Sequence, residues 1–527
     1  MDQQQTITCP SCGMDNAADT KFCRGCGSKL VQDAPKPPKE KKPKKENGFF
    51  ARFPLIRLIR SAVMLILAIV IFATSFSSVL TYDMELDKDE AKMLEEIYDI
   101  NAKAGDKISV KISPLDTVIL FTDSLASKDA DELYEDWEEK MDALQEKYED
   151  FEPKSLNDLA KMSKDEMKME LRMRLQSENE PINIGLGIAA LVSLTYLAIG
   201  LVLLILAIIN FIFFWVGKGS YLNGCTKALT VMPVLAFLAH YTAKSGMASV
   251  YHAASEGLTV SMGSTLGVLI TALIGIAAFI VLRFIFAAKT IVLKKFIFNA
   301  ISLVISFACL MMVFVGALSV TIKAEFEGSS KATTATTTIS PDYFGSIEKP
   351  ADVDDDYDDV YDDYIDYTYM KEYYKEIGHK FSGYKKSEIE EGKADAEIQE
   401  VITEAISYET DEVVAYAFGL MTSLLYTLVA IFISMVVWQN INYLATGDKS
   451  KALNRLGKIF SIILSSFILM FVIIFFALAS SLLTGTFTVG LGLGPIMMLI
   501  LAITMTAFPN GGKTKVVQYV RQEYVEE

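Results

Sequence analysis

Eight stretches of apolar residues, each meeting or approaching the length needed to cross a lipid bilayer, constrain this chain more than any other feature. A hydrocarbon core of about 30 Å takes roughly 20 apolar residues per helix. Such stretches fall near residues 58–80, 184–216, 228–250, 262–287, 296–321, 413–438, 459–483 and 486–508. Backbone amides in lipid must be satisfied within their own element, so runs of this length predict helices. Of the 527 residues 51% are apolar, and the mean hydropathy is +0.31, more than a soluble protein of this size carries. The third stretch is the weakest, because the apolar run from Ala228 to Ala239 is followed by His240 and Lys244. Its alternative is a half-helix that re-enters the membrane. The expected fold class is an all-α membrane protein of about eight transmembrane helices.

The net charge of −16 is misleading as an average, because acids and bases are segregated. Lys218 and Lys227, then Arg283, Lys289, Lys294 and Lys295, then Lys449, Lys451, Arg455 and Lys458, then Lys513, Lys515 and Arg521 occupy alternate connections or the C-terminal tail. The positive-inside rule assigns these to the cytosol. The acidic segments 81–183 and 322–412 then lie outside, and eight spans leave both termini cytosolic. The first apolar run starts beyond residue 55 beside Arg52, Arg57 and Arg60, which reads as a signal anchor rather than a cleaved signal peptide. Neither acidic segment holds a cysteine or an Asn-x-Ser/Thr sequon. Both absences suit a bacterial plasma membrane.

Residues 9–27 read CPSCGMDNAADTKFCRGCG and place Cys9, Cys12, Cys23 and Cys26 as two C-x-x-C pairs ten residues apart. Zinc takes four ligands in a tetrahedron, and two tight C-x-x-C turns each present two thiolates. Gly13 and Gly27 follow the second cysteine of each pair, where a residue free to take positive φ lets the turn close. So short a segment has almost no core, and metal would supply most of its folding free energy. Four thiolates leave no open coordination position, which points to a structural zinc. No βαβ context surrounds either pair to favour a redox role. The pattern C-P-x-C-G followed by F-C-x-x-C-G resembles the short N-terminal zinc ribbons of bacterial polytopic membrane proteins without an assigned role. That resemblance covers about the first 30 residues and implies zinc binding alone.

After the ribbon, DAPKPPKEKKPKKENG carries Lys36, Lys39, Lys41, Lys42, Lys44 and Lys45 on a proline-stiffened linker. No aromatic residue interleaves the lysines to stack on bases, so nucleic acid is not an expected partner. Juxtamembrane lysines attract anionic lipid instead. The chain thus divides into a ribbon (1–30), a Pro/Lys linker (31–55), a first transmembrane helix (56–80), an acidic ectodomain (81–183), helices two to four (184–295), a fifth helix (296–321), a Thr/Asp/Tyr-rich acidic ectodomain (322–412), helices six to eight (413–510) and a cytosolic tail (511–527).

One helix, a long acidic loop and three helices occur in that order twice. Trp215, Tyr221-Leu222 and Thr226-Lys227-Ala228-Leu229 reappear as Trp438, Tyr443-Leu444 and Ser450-Lys451-Ala452-Leu453, and TVSMG at 259–263 reappears as TVGLG at 488–492. The recurring offsets predict two parallel four-helix repeats. Individually, the tryptophans also fit interfacial anchors, Lys227 and Lys451 fit the charge rule, and Gly263, Gly490, Gly492 and Gly494 fit close helix packing.

Ion-coupled carriers usually bury a carboxylate in the membrane. From Pro181 to Ser255, Gly257 to Ala324, Val413 to Gly447 and Lys449 to Gln522 there is no Asp or Glu. His240 and Lys244 lie on one helix face, where a packed histidine and a lysine snorkelling to the outer surface are expected. His252 and His379 are too scattered to build a metal triad with His240, and Cys225 and Cys309 read as structural. No hydrolytic motif is present, so an enzyme is not expected.

In the first acidic segment, KISVKIS at 107–113 alternates as a strand does. Leu133, Trp137, Met141 and Leu144 recur at helical spacing, and Ser155 and Ser163 precede further helical runs. A small, mainly helical ectodomain with a hairpin is expected. The second segment opens with a Thr-rich linker, KATTATTTIS, and continues into an aspartate run from Asp352 to Asp366. An EF-hand loop wants glycine at its sixth position and this run has Tyr357, so a solvated acidic segment is favoured over a calcium site. Tyr357, Tyr361 and Tyr364 share one helical face. The leading functional expectation is a non-enzymatic membrane scaffold or sensor with protein partners on both sides. The alternative is a permease with its path between the repeats, although the cytosolic loops Val216–Ala228 and Gln439–Lys458 lack a charged coupling helix.

Overall fold

The computed structural model describes residues 6–9, 11–17, 20, 22–28, 54–86, 88–98, 100–103, 105–125, 155–162, 184–216, 222–248, 258–261, 272–281, 283, 293–345, 381–390, 394–410, 412–483 and 486–508. It separates into two units, Met1–Arg60 and Ser61–Glu527. In the first, β1 (Thr6–Thr8) pairs antiparallel with β2 (Asp15–Ala17). Helix α1 (Pro54–Thr74) opens the chain's apolar part.

In chain order there follow β3 (Leu80–Glu85), α2 (Lys88–Tyr98), β4 (Lys107–Ile112), α3 (Pro114–Ser124), α4 (Ile184–Val216), α5 (Leu222–Ala248), β5 (Leu258–Ser261) and α6 (Ala272–Val281). Then come α7 (Leu293–Met311), β6 (Leu318–Ala324), β7 (Thr333–Ile339), α8 (Asp395–Thr410), α9 (Glu412–Thr446), α10 (Lys451–Leu482), β8 (Phe487–Leu491) and α11 (Leu493–Met505). Among the described residues, four helical segments are long and apolar enough to cross a membrane: Gly185–Ile212, Leu293–Phe314, Val414–Thr446 and Lys451–Ser481. Ser61–Ala73, Ala272–Val281 and Leu493–Met505 are apolar but shorter. The expected weak stretch forms one continuous helix, α5, of 27 residues through Pro233. Its Leu229, Met232, Ala236, Ala239 and Ala243 are all buried, and so are His240 beside Ala236 and, elsewhere on the circumference, Thr230 and Thr242. Burial around its circumference explains why α5 tolerates more polar residues than its neighbours.

The all-α expectation is corrected by eight strands among the described residues, in a two-stranded sheet and two three-stranded sheets. Three apolar stretches change state at their ends. Leu80, Leu318 and Phe487 lie in strands, where helix was expected up to 80, up to 321 and from 486. Hydropathy alone cannot separate a buried strand from a helix end. The Thr-rich segment is likewise β7 rather than a linker. Threonine is β-branched and favours a pleated surface, and Ala335, Thr337 and Ile339 alternate inward. The strand expected at 107–113 is present as β4.

The sheets are ordered β4-β3-β5 and β7-β6-β8, each with the strand that follows an apolar helix, α1 or α7, at its centre. Their registers correspond. Leu80 pairs with Ile112 and Thr81 with Ser261, while Leu318 pairs with Ile339 and Ser319 with Gly490. An identical Ile-Ser-Pro triplet, 112–114 and 339–341, closes β4 and β7, the edge strands that follow the centre strand in the chain.

Strand β6 buries Leu318, Val320, Ile322 and Ala324. The second sheet sits under a group of rings in which Phe344 meets Phe475 at 4.8 Å and Phe381 meets Phe487 at 5.7 Å. Beside the first sheet, Leu86, Ala91, Leu94, Ile100, Ala102 and Ile108 form a separate small core with Leu156, Leu159 and Ala160. The 133–144 pattern, Ser163 and the Asp352–Asp366 run with its tyrosines lie outside the described residues.

Candidate metal centre and a buried basic cluster

The two C-x-x-C turns fold alike. Gly13 N–H donates to the Cys9 carbonyl at 2.8 Å, and Gly27 N–H donates to the Cys23 carbonyl at 2.9 Å. Gly13 and Gly27 have φ of 71° and 72°, the left-handed conformation anticipated for them and one that side chains resist. Each turn closes further as Cys9 N–H reaches the Met14 carbonyl and Cys23 N–H the Ser28 carbonyl. Four sulfurs are thereby brought together, all within 4.8 Å of one another. Cys9 Sγ lies 3.6 Å from Cys26 Sγ, and Cys12 Sγ lies 3.5 Å from Cys23 Sγ. A tetrahedral ion with sulfur at about 2.3 Å needs sulfurs about 3.8 Å apart, so this donor set is compatible with a metal site. Cys9 and Cys23 are buried, whereas Cys12 and Cys26 face outward.

Asn16, on β2, ties the turns together and was not singled out by the sequence. It is buried. Its amide donates to the Met14 carbonyl at 2.8 Å and approaches Cys23 Sγ at 3.5 Å, and its oxygen accepts from Arg24 N–H at 2.9 Å. The Cys23 thiol is drawn down to about 6 by the backbone N–H of Cys26, with Gly25 N–H and the Asn16 amide adding to it. Hydrogen bonds donated to sulfur favour the thiolate a metal requires.

The second cluster lies where α9 hands over to α10. Only residues 447–450 separate these helices, so most of the expected loop 439–458 is helix. Lys449 and Lys458, read from sequence as plain topology signals, are 6% and 2% exposed. Lys449 Nζ donates to Asn299 Oδ1 at 2.9 Å and to Asn440 Oδ1. Asn440 Nδ2 in turn donates to Ser302 at 3.1 Å and Ser306 at 3.2 Å, on successive turns of α7. Lys458 Nζ donates to the Phe508 carbonyl at 2.8 Å. Burial, with the Lys458 charge adding, pushes the Lys449 ammonium down to about 7. Periodicity cannot reveal such a cluster, because its members come from three helices. The available hint was the density of Asn, Gln and Ser around an otherwise apolar helix end.

His240 is a packed histidine, as expected: its Nδ1 lies 2.6 Å from the Val79 carbonyl, beside Phe314. Cys225 and Cys309 are buried, and Cys309 donates to the Met498 carbonyl. Lys36–Lys45, His252 and His379 lie outside the described residues. Comparison with protein-family models, with curated proteins and with solved structures gives no match for this chain.

Proposed function

We propose that this chain is a polytopic protein of a bacterial plasma membrane that acts as a scaffold or sensor, joining a zinc-bound cytosolic docking ribbon to acidic domains outside. The observation that carries this reading is the closed set of four cysteine sulfurs. Four thiolates fill a tetrahedral ion and leave no position for substrate, so the ribbon presents a rigid surface instead of a reactive one. Eight spans arranged as two parallel four-helix repeats place ribbon and acidic domains on opposite sides, with anionic lipid met by Lys36–Lys45. The like order and register of the two three-stranded sheets support the duplication.

Cross-linking in intact membranes, followed by mass spectrometry of wild type and a Cys9→Ser/Cys12→Ser variant, tests the docking role. Envelope or regulatory proteins recovered only with the intact ribbon support it. Equal recovery with both proteins removes it.

A permease is the second reading, favoured by the packing of α5 against α9 between the proposed repeats, where Ser245 and Ser423 hydroxyls meet at 3.3 Å. In transporters built from parallel repeats the path runs between the halves. Stoichiometric recovery of an ATPase in the same experiment would favour it over the scaffold.

A further inference from the structure

Two buried ammonium groups whose hydrogen-bond partners among the described residues are all neutral oxygens are costly to keep. Removing a charge from water is repaid by a partner of opposite sign, and an amide or carbonyl oxygen repays only part of it. Each ammonium offers three N–H donors. Lys449 uses two, on Asn299 and Asn440, and Lys458 uses one, on the Phe508 carbonyl. Three donors are left over among the described residues. The segments 293–299 and 447–458 together contain six bases and one acid, Asp448. That acid faces Lys227 at 3.9 Å.

The surroundings grade from buried to exposed. Lys294, exposed at the start of α7, lies 6.0 Å from the Phe298 ring. That ring lies 6.2 Å from the ring of Phe508, whose carbonyl holds Lys458. The first turn of the 32-residue helix α10, capped by Ser450, adds the positive end of a helix dipole.

We propose that a phosphate-bearing anion is bound by the buried Lys449 and Lys458 ammonium groups, with Lys294 at the rim. It is either the headgroup of an anionic lipid or free phosphate. The site stands whether the protein is a scaffold or a permease, since it rests on these side chains alone.

The test uses the full chain in detergent, with inorganic phosphate and phosphatidylglycerol as probes and phosphatidylcholine as the zwitterionic control. Saturable binding of either anionic probe is expected. Lys449→Met/Lys458→Met should weaken it at least tenfold, and Lys451→Met/Arg455→Met, at exposed positions of α10, should change it less than twofold. Binding of phosphate by itself identifies a soluble anion, and binding of phosphatidylglycerol alone identifies a headgroup. In wild type, amine-reactive labelling read by peptide mass spectrometry should show Lys449 and Lys458 protected by the bound probe while Lys451 is not, which needs no variant to fold. Absence of binding by both probes, or labelling of Lys449 and Lys458 that neither probe alters, overturns the proposal.

Discussion

Arg283 donates to the Leu444 carbonyl at 2.7 Å and to that of Tyr443, so a residue two positions beyond α6 holds the last turn of α9. Helix ends leave carbonyls without intrahelical donors, and a guanidinium supplies several at once. The chain can reverse there because Gly447 has φ of 84° and no side chain. A Cβ at that position would meet Arg283 Nη2 at 2.5 Å. Gly447→Ala should therefore combine backbone strain with displacement of Arg283, costing about 1–3 kcal/mol. Chemical-denaturant unfolding of the purified protein checks this. An unchanged midpoint would show that Arg283 does not fix this turn.

Asn16 reaches Cys23 Sγ and Arg24 N–H from the opposite turn. Groups that orient metal ligands typically contribute about 10- to 100-fold to affinity. If the proposed zinc is bound, Asn16→Ala should weaken its retention by that order in a chelator competition, with one equivalent of metal still bound at saturation. Chelation of wild type should expose residues 6–28 to hydrogen exchange and leave α9 and α10 protected, because the cysteine set belongs to a separate compact unit.

Lys449 gives stability a pH dependence of definite sign. Its ammonium sits near 7 in the folded protein against 10.5 ordinarily, chiefly through burial. Between these values the unfolded chain holds a proton that the folded one lacks, so stability rises with pH across roughly 7 to 10.5. The slope approaches at most about 1.4 kcal/mol per pH unit. Denaturation at pH 7, 8 and 9 should show this slope in wild type relative to Lys449→Met. Parallel profiles for the two proteins would mean that Lys449 keeps its charge when folded.

Gly492 lets β8 and the start of α11 lie against the backbone that precedes β6. Its N–H donates to the Ala317 carbonyl at 2.9 Å, and any Cβ would run into the Gly316 carbonyl. Gly492→Val should abolish accumulation of folded protein, whereas Thr488→Val, on the exposed side of β8, should be tolerated. Comparing yields of folded protein by fluorescence-detected size exclusion separates these outcomes.

What the sequence disclosed was whatever repeats along one element. The cysteine spacing and the two glycines told of the ribbon because all its ligands lie within 18 residues. Apolar length told of the long helices, and alternation told of β4. Contacts between elements were not legible. Phe487 and Leu318 look like helix residues until β6 and β8 pair, and Lys449 and Lys458 look like surface lysines until Asn299 meets the first and the Phe508 carbonyl the second. Asn16 escaped notice for the same reason, since its role is to cross from one turn to the other. The Ile-Ser-Pro triplets at 112–114 and 339–341 went unnoticed in the sequence, because three residues carry meaning only once both are seen to end equivalent strands.

The central claim is that the proposed membrane topology puts the Lys449 cluster on one side and the two three-stranded sheets on the other. Single cysteines at exposed Asn101, Ser330 and Arg455, probed with an impermeant maleimide on intact cells, test it directly. The account predicts that Asn101→Cys and Ser330→Cys label from outside and that Arg455→Cys labels only after permeabilisation. Labelling of Ser330→Cys and Arg455→Cys from the same side would contradict it.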